Sequence, residues 1–454
     1  MAHVRAGVAA GHPATAEVGA AILAEGGTAG DAAAAMALAS CVADTVLSGL
    51  LSGAHAAVFD GERAYHLDCF AAVPSGSGQL LEVPVLFGEH VVPYFVGPSS
   101  CAVPGLPAGI DEVWRRLGRL PWREIVAPAR RLALEGVELP PAQARSLEML
   151  AGIMTPARGA DIYTPGGRLL VGGDKLDQPR LVRALDVIAE EGARSVYEGS
   201  LAEALLEIDG IEITAGDLAG YRAEWREPVF VSWQGMRVAT RGGLSGVPEL
   251  LSIFPRLRGR SETERVLTLV AALQEGTAGI GDTTNLVAVD DEGRACVITH
   301  SLGVGAATWL DDYDLHLNNL LGERDIDVGP LEPGDRMESR MAPSFVFDDE
   351  GLVLAIGSAG ATRLRTALCT VVAGILDEGL EPQAAVDRPR LHPTHEGVDA
   401  EPGVDEAALE LLEAEGRTVR RWPDFHHYFG GVSCVGRTGA AGDPRRAGKG
   451  IVVS

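Results

Sequence analysis

Two adjacent hydroxyl side chains, Thr283 and Thr284, follow a Gly-Asp pair at the head of a run that reads as a β-hairpin. A threonine hydroxyl is a weak nucleophile until a base sits beside it. One solution puts base and nucleophile in a single residue: an N-terminal threonine, whose free α-amine titrates near about 8 and takes the hydroxyl proton without a histidine. For an internal threonine the chain must first be cut before it. The Gly-rich connector GTAGIGD, residues 276–282, offers flexible backbone at that point. A threonine pair at a strand start is equally an ordinary outcome of β propensity. The residues by themselves leave both readings open.

The elements that must hold these hydroxyls are legible. Leu286 to Val289 is apolar and β-branched, Asp290-Asp291-Glu292-Gly293 supplies a turn, and Ala295 to Thr299 is the returning strand. Residues 13–43 read as two Ala-rich helices parted by Gly26-Gly27, the second capped near Asp31. They are apolar nearly all round, which suits helices packed between other layers. Short strands are expected at Ala56 to Phe59 and Ala64 to Leu67, preceded by the small-residue loop LSGLLSG. Pro104 to Glu138 is helical with breaks, and Pro179 to Glu191 is amphipathic and stopped by Gly192. Strands follow at Val229 to Trp233 and Met236 to Thr240, then helices around Glu249 to Phe254 and from Ser261. Beyond the hairpin come strands at Ser344 to Phe347 and Leu352 to Ile356, then helices at Thr362 to Asp377 and Glu406 to Glu415. This order suits a layered α+β body better than alternating βαβ units.

Composition narrows the function classes. The 454 residues are 46% hydrophobic and 5% aromatic, as in a globular protein. With 38 basic against 63 acidic residues the formal charge is -25, which repels nucleic acid and anionic membrane surfaces. No signal-type apolar segment opens the chain and no run of eighteen apolar residues occurs, so the reading is a cytoplasmic protein without a membrane span. Six scattered cysteines lack CxxC spacing and read as free thiols. His392, His395, His426 and His427 lie in Pro-rich loop without the usual ligand spacing, so no metal is expected. GxSxG is absent, the GxG pairs lack the third glycine of a dinucleotide loop, and no Walker A pattern exists. No cofactor is therefore expected.

Around and beyond the hairpin the chain resembles the γ-glutamyltranspeptidase family of N-terminal-nucleophile hydrolases. The matching stretches are GHPATAEVGAAILAEGGTAGDAAAAMALA, VPGLPAGIDEVWRRLGRLPWREIVAPARRLALEG, DLAGYRAEWREPV and DTTNLVAVDDEGRACVITHSL. LNN at 317–319, GSAGATR from 357, AVDRPRLHPT from 385 and DPRRAGKG from 443 complete the order. The resemblance implies a four-layer αββα sandwich, made as a proenzyme that cuts itself after Asp282. Segments 1–282 and 283–454 would remain associated as one αββα domain. It implies Thr283 as nucleophile and new N-terminus, Ser301 as the hydroxyl assisting it, Ser339 on the acyl pocket, and Gly360 at the oxyanion position. Thr284 is expected to be structural.

The departures bear on substrate. Where the family has DGRETAP, whose Arg holds the glutamate α-carboxylate, this chain has DCFAAVP, so Phe70 replaces a bidentate donor with a ring that cannot donate. Gly303 replaces a family Asn, Glu323 approximates the acidic residue after LNN, Arg340 replaces the second serine of the acyl pocket, and Ala361 replaces the second glycine of the oxyanion pair. The section before Thr283 is also shorter than in the family. The expectation is an active enzyme on a non-glutamyl small molecule, hydrolysing or transferring an amide acyl group or cleaving a C–C bond next to a carbonyl, as some relatives do in antibiotic biosynthesis. The competing expectation is an uncut, non-catalytic homologue that binds a ligand or partner.

Overall fold

The computed structural model describes residues 4–87, 90–273, 283–323, 326 and 329–453. The hairpin forms as its sequence predicts: Thr284–Val289 pairs antiparallel with Ala295–Ser301, with Thr284 opposite His300 and Val289 opposite Ala295. It is the centre of a seven-stranded sheet. Gly7–Ala10 and then Lys449–Val452 extend one side, and Gly53–Phe59, Ala64–Cys69 and Glu224–Arg226 extend the other. A six-stranded sheet runs in the order Gly439–Gly442, Gly431–Gly436, Gly351–Ala359, Ser344–Asp348, Met236–Thr240, Val229–Trp233. Strands from before and after residue 283 therefore share each sheet.

Side chains on a strand alternate between its two faces. Leu286, Ala288, Cys296 and Ile298 pack with Ala32, Ala35, Met36 and Ala39 of the helix Ala29–Ala43 in one core. Val287, Val289, Ala295 and Val297 turn the other way and meet Phe345, Phe347, Ala355 and Val435 of the second sheet. That sheet's outer face, with Val238, Val346, Leu354 and Val432, is covered by the helices Val247–Ile253, Glu262–Leu273 and Arg363–Leu376. The layers are helix, sheet, sheet, helix. Both faces of the hairpin are covered, so its sequence is a continuous apolar run instead of an alternating one.

Helix Ala29–Ala43 is buried at every position. Its cap differs from the expected one: Thr28 is the N-cap and Asp31 its reciprocal partner three residues on. Asp31 also accepts the Arg119 and Leu120 amides, so it joins this helix to the break between Leu106–Leu117 and Trp122–Glu135. A second carboxylate serves the same helix end. Asp290, in the hairpin turn and 1% exposed, accepts the Ala29 amide at 2.9 Å and pairs with Arg294 at 2.8 Å. The remaining strand and helix expectations are met within a few residues, the strands Gly53–Phe59 and Ala64–Cys69 being longer than read. The hairpin Leu81–Phe87 with His90–Val96, the helices Pro141–Met149, Ala151–Met154 and Arg158–Tyr163, and a small sheet of Leu391–Thr394, Gly397–Ala400 and Val419–Arg421 had no counterpart in the sequence reading. Among the described residues no helix is long and apolar enough to cross a membrane.

Asp290→Ala removes a helix cap and a buried ion-pair partner together. The expected loss is about 2–4 kcal/mol of unfolding free energy by denaturant titration. A loss below about 1 kcal/mol would show that the turn does not hold the helix.

Candidate active site

The antiparallel register places residue 283 beside Ser301, the last residue of the neighbouring strand. Consecutive residues at the strand head then face opposite ways. Thr284 turns toward helix Ala29–Ala43, where its hydroxyl lies 3.3 Å from a carboxylate oxygen of Asp44, the helix's C-cap. Burial pushes the Asp44 carboxyl up, opposed by His12, the Thr284 hydroxyl, Arg446 and Gln143. Thr283 turns into a small cavity that is partly open to solvent.

Seven of the residues singled out from the sequence line that cavity: Phe70, Thr283, Ser301, Glu323, Ser339, Arg340 and Ala361. Leu320, Ile326, Met341 and Leu364 line it as well and were not anticipated. Their signal in the sequence is faint, since they are ordinary apolar residues beside the LNN, Ser339 and GSAGATR positions. Asp282 lies outside the described residues.

Phe70 follows the strand Ala64–Cys69 and is 2% exposed. Its amide donates to Asp68 at 3.1 Å, and its carbonyl accepts from the Tyr221 hydroxyl at 2.5 Å and from Arg336 at 2.7 Å. The ring stacks on His55, centroids 5.3 Å apart and planes 9° from parallel, and His55 stacks on His66 at 5.1 Å. Burial holds both imidazoles far below their usual range, aided by the positive charge of Arg241 and Arg226. Phe70 thus rests on an uncharged ring, and with Leu320, Ile326, Met337 and Met341 it forms one apolar cluster.

Two polar walls flank it. Ser301 Oγ accepts the Gly303 amide at 2.8 Å, and Ser339 Oγ accepts the Met341 amide at 3.2 Å. Gly303 is not a lining residue. It has φ of 72°, and a Cβ there would lie 2.2 Å from Asn319 Oδ1 and 2.8 Å from Glu323 Oε1. A side chain at 303 would collide with Asn319 and Glu323. Asn319 is held in turn by the Val304 amide at 2.8 Å and by donation to the Phe95 carbonyl.

Gly360 and Ala361 form the bend between strand Gly351–Ala359 and helix Arg363–Leu376. Gly360 has φ of 120°, and Ala361 has φ of 48°, a left-handed conformation that disfavours any residue with a Cβ. Among the described residues neither of their N–H groups donates to a protein acceptor. Ala361 lines the cavity and Gly360, the residue before it, is not among the lining residues; two adjacent donors beside a cavity suit a developing oxyanion.

His392 is buried and bonded to Thr366, His426 accepts the Tyr428 amide, and all six cysteines are buried free thiols. Among the described residues no group of three His, Cys, Asp or Glu side chains is placed to hold a metal ion. One functional candidate escaped the sequence reading although its motif was noticed: Arg446, of DPRRAGKG, donates to the Thr283 carbonyl at 3.1 Å.

The family model described as "Gamma-glutamyltranspeptidase" matches residues 15–268 and 257–453. The Acylase ACY 1 proenzyme of Pseudomonas sp. (strain SE83) is 26% identical, over 94% of this chain and 89% of its own. The glutathione hydrolase proenzyme of Pseudomonas aeruginosa is 27% identical, over 96% and 93%. In fold, the cephalosporin acylase from Bacillus halodurans superposes with a TM-score of 0.84 over 99% of this chain and 96% of that one, at 22% identity. With the family model spanning nearly the whole sequence, this chain belongs to the γ-glutamyltranspeptidase family and is an enzyme of its N-terminal-nucleophile hydrolase type.

Proposed function

We propose that the protein cuts itself between Asp282 and Thr283 and then acts as a threonine hydrolase or acyltransferase on a non-glutamyl small molecule. The observation that carries the substrate side is Phe70: a ring stacked on a neutral imidazole stands where a carboxylate-reading guanidinium would be needed. Phe70, Leu320, Ile326 and Met341 give the cavity an apolar side, and Arg340 supplies a cation and Glu323 a carboxylate at the same cavity. Such a lining suits an acyl group with an apolar body and few polar anchors.

In this reading the Thr283 hydroxyl adds to the substrate carbonyl while its proton passes to the residue's own amine. The Gly360 and Ala361 amides receive the oxyanion. Collapse of the tetrahedral intermediate expels the leaving group, which takes the proton from the amine, and leaves an ester on Thr283. Water or an acceptor amine then repeats the addition and releases the acyl group. Ser301 sits beside residue 283 in the ladder and orients its hydroxyl. An amide, or a C–C bond next to a carbonyl, passes through the same oxyanion. Segments 1–282 and 283–454 stay together after cleavage because both sheets draw strands from each.

Three outcomes test the reading. Intact-mass analysis of purified protein should show fragments 1–282 and 283–454, and Thr283→Ala should stay whole; a wild-type chain that remains uncut yet turns over its substrate would sink it. Wild-type turnover of γ-glutamyl-p-nitroanilide should be near background, and Phe70→Arg should raise it roughly 10- to 100-fold by restoring a charged donor. Ala361→Gly should relieve the left-handed backbone and raise stability by up to about 1 kcal/mol in thermal melts, after the entropy glycine adds to the unfolded chain. Destabilisation by more than that would contradict the strain at this bend.

A further inference from the structure

Arg446 has no role in the mechanism above, yet it is 5% exposed and bonded to residue 283 itself. Its surroundings are built to hold it there. Asp443 accepts the Val432 amide and an Arg390 guanidinium nitrogen at 2.6 Å, and its carbonyl accepts the Arg446 and Gly448 amides. Arg445, the residue before, is fully buried and bound by Glu401 and Asp443. Burial alone would push the Asp443 carboxyl up, but Arg390 and Arg445 hold it below the usual range. The Arg446 side chain lies across Gly431, where a Cβ would meet its Cδ at 2.3 Å. A buried, charge-balanced network thus presents one further guanidinium to the nucleophile.

Resting on the reading that Thr283 becomes a free N-terminus, we propose that Arg446 is a positioning residue that pins Thr283 by its carbonyl and keeps the liberated amine uncharged, able to accept the hydroxyl proton. Covalent geometry keeps a residue's nitrogen within about 4 Å of its own carbonyl oxygen, so the guanidinium stands within roughly 7 Å of the amine. A fixed positive charge at that range disfavours the ammonium form. Among the described residues, other charged or titratable groups around residue 283 and Arg446 include Arg340, Arg363, Arg145, Asp424, Glu323, Asp44, His12, His300, His426 and His427. Burial depresses His300 to about 3, and His426 to about 4 with help from nearby arginines. His427 is driven well below its ordinary value by burial. His300, His426 and His427 therefore add no charge near neutral pH. Asp44, on the other face of the strand, is the group opposing Arg446 from the helix side.

The sign follows. The amine works as a base only when neutral, so the acidic limb of the rate profile reports its pKa. Removing the Arg446 charge raises that pKa and moves the limb to higher pH.

The test uses the cut wild-type enzyme labelled with ¹⁵N-threonine. The Thr283 amine should titrate below the ordinary N-terminal range of about 7.7–8.0; a value at or above that range overturns the proposal. In parallel, the initial release of p-nitrophenol from p-nitrophenyl butyrate is followed against pH. In Arg446→Gln the acidic limb should rise by about one unit, a roughly tenfold loss at pH below the limb. In Arg446→Lys the limb should stay near wild type although turnover falls. Equal losses in both variants with an unmoved limb mean a purely structural role and overturn the proposal. Should Arg446→Gln fail to fold or to cut, the wild-type titration decides alone. An uncut wild-type chain removes the underlying reading, whereas a cut chain with an ordinary amine removes only the role of Arg446.

Discussion

A helix of fifteen residues and a strand of six are nearly the same length, about 22 Å and about 20 Å, and the site depends on that match. Helix Ala29–Ala43 lies along the first strand of the hairpin with a carboxylate at each end. Asp290 in the turn receives the helix's first amide, and Asp44 at the helix C-cap meets the hydroxyl at the strand's start. The strand is thereby gripped at both ends against a rigid rod. Because neighbouring strand residues face opposite ways, fixing Thr284 toward Asp44 fixes Thr283 toward the cavity.

The grip requires close approach, and that explains the composition of the helix. Every position of Ala29–Ala43 is buried between strands and other helices, and small side chains let it sit deep in the first layer. Larger residues are kept for the space between the sheets, where Phe59, Phe345 and Phe347 meet. A well-packed interior resists gradual deformation. The strand head is therefore set by the whole layer instead of by the few contacts near it.

Charge in the site is managed by what surrounds it. The histidines near residue 283 and beneath Phe70 are driven neutral by burial. Fixed charge comes from guanidiniums and carboxylates: Arg340 and Glu323 line the cavity, and Arg446 stands behind the strand head. The network of Arg390, Asp443, Arg445 and Glu401 pairs two cations with two anions out of water, so it imposes little net field of its own. Its contribution is rigidity at the point where Arg446 is presented.

The hairpin, the apolar helices and the layered α+β order were determined locally, because strand runs, turn residues and helix stops act over a few neighbours. Family motifs singled out Thr283, Ser301, Ser339 and Phe70, and the structure gathers these four around one cavity. Only the tertiary structure decided what those positions adjoin. That Phe70 lies on His55, that Gly303 must lack a side chain because Asn319 and Glu323 fill its space, and that Arg446 reaches residue 283 are contacts between segments far apart in the chain. No periodicity encodes such pairs, since each partner's neighbourhood is satisfied by many alternatives until the sheets and helices fix the distance between them.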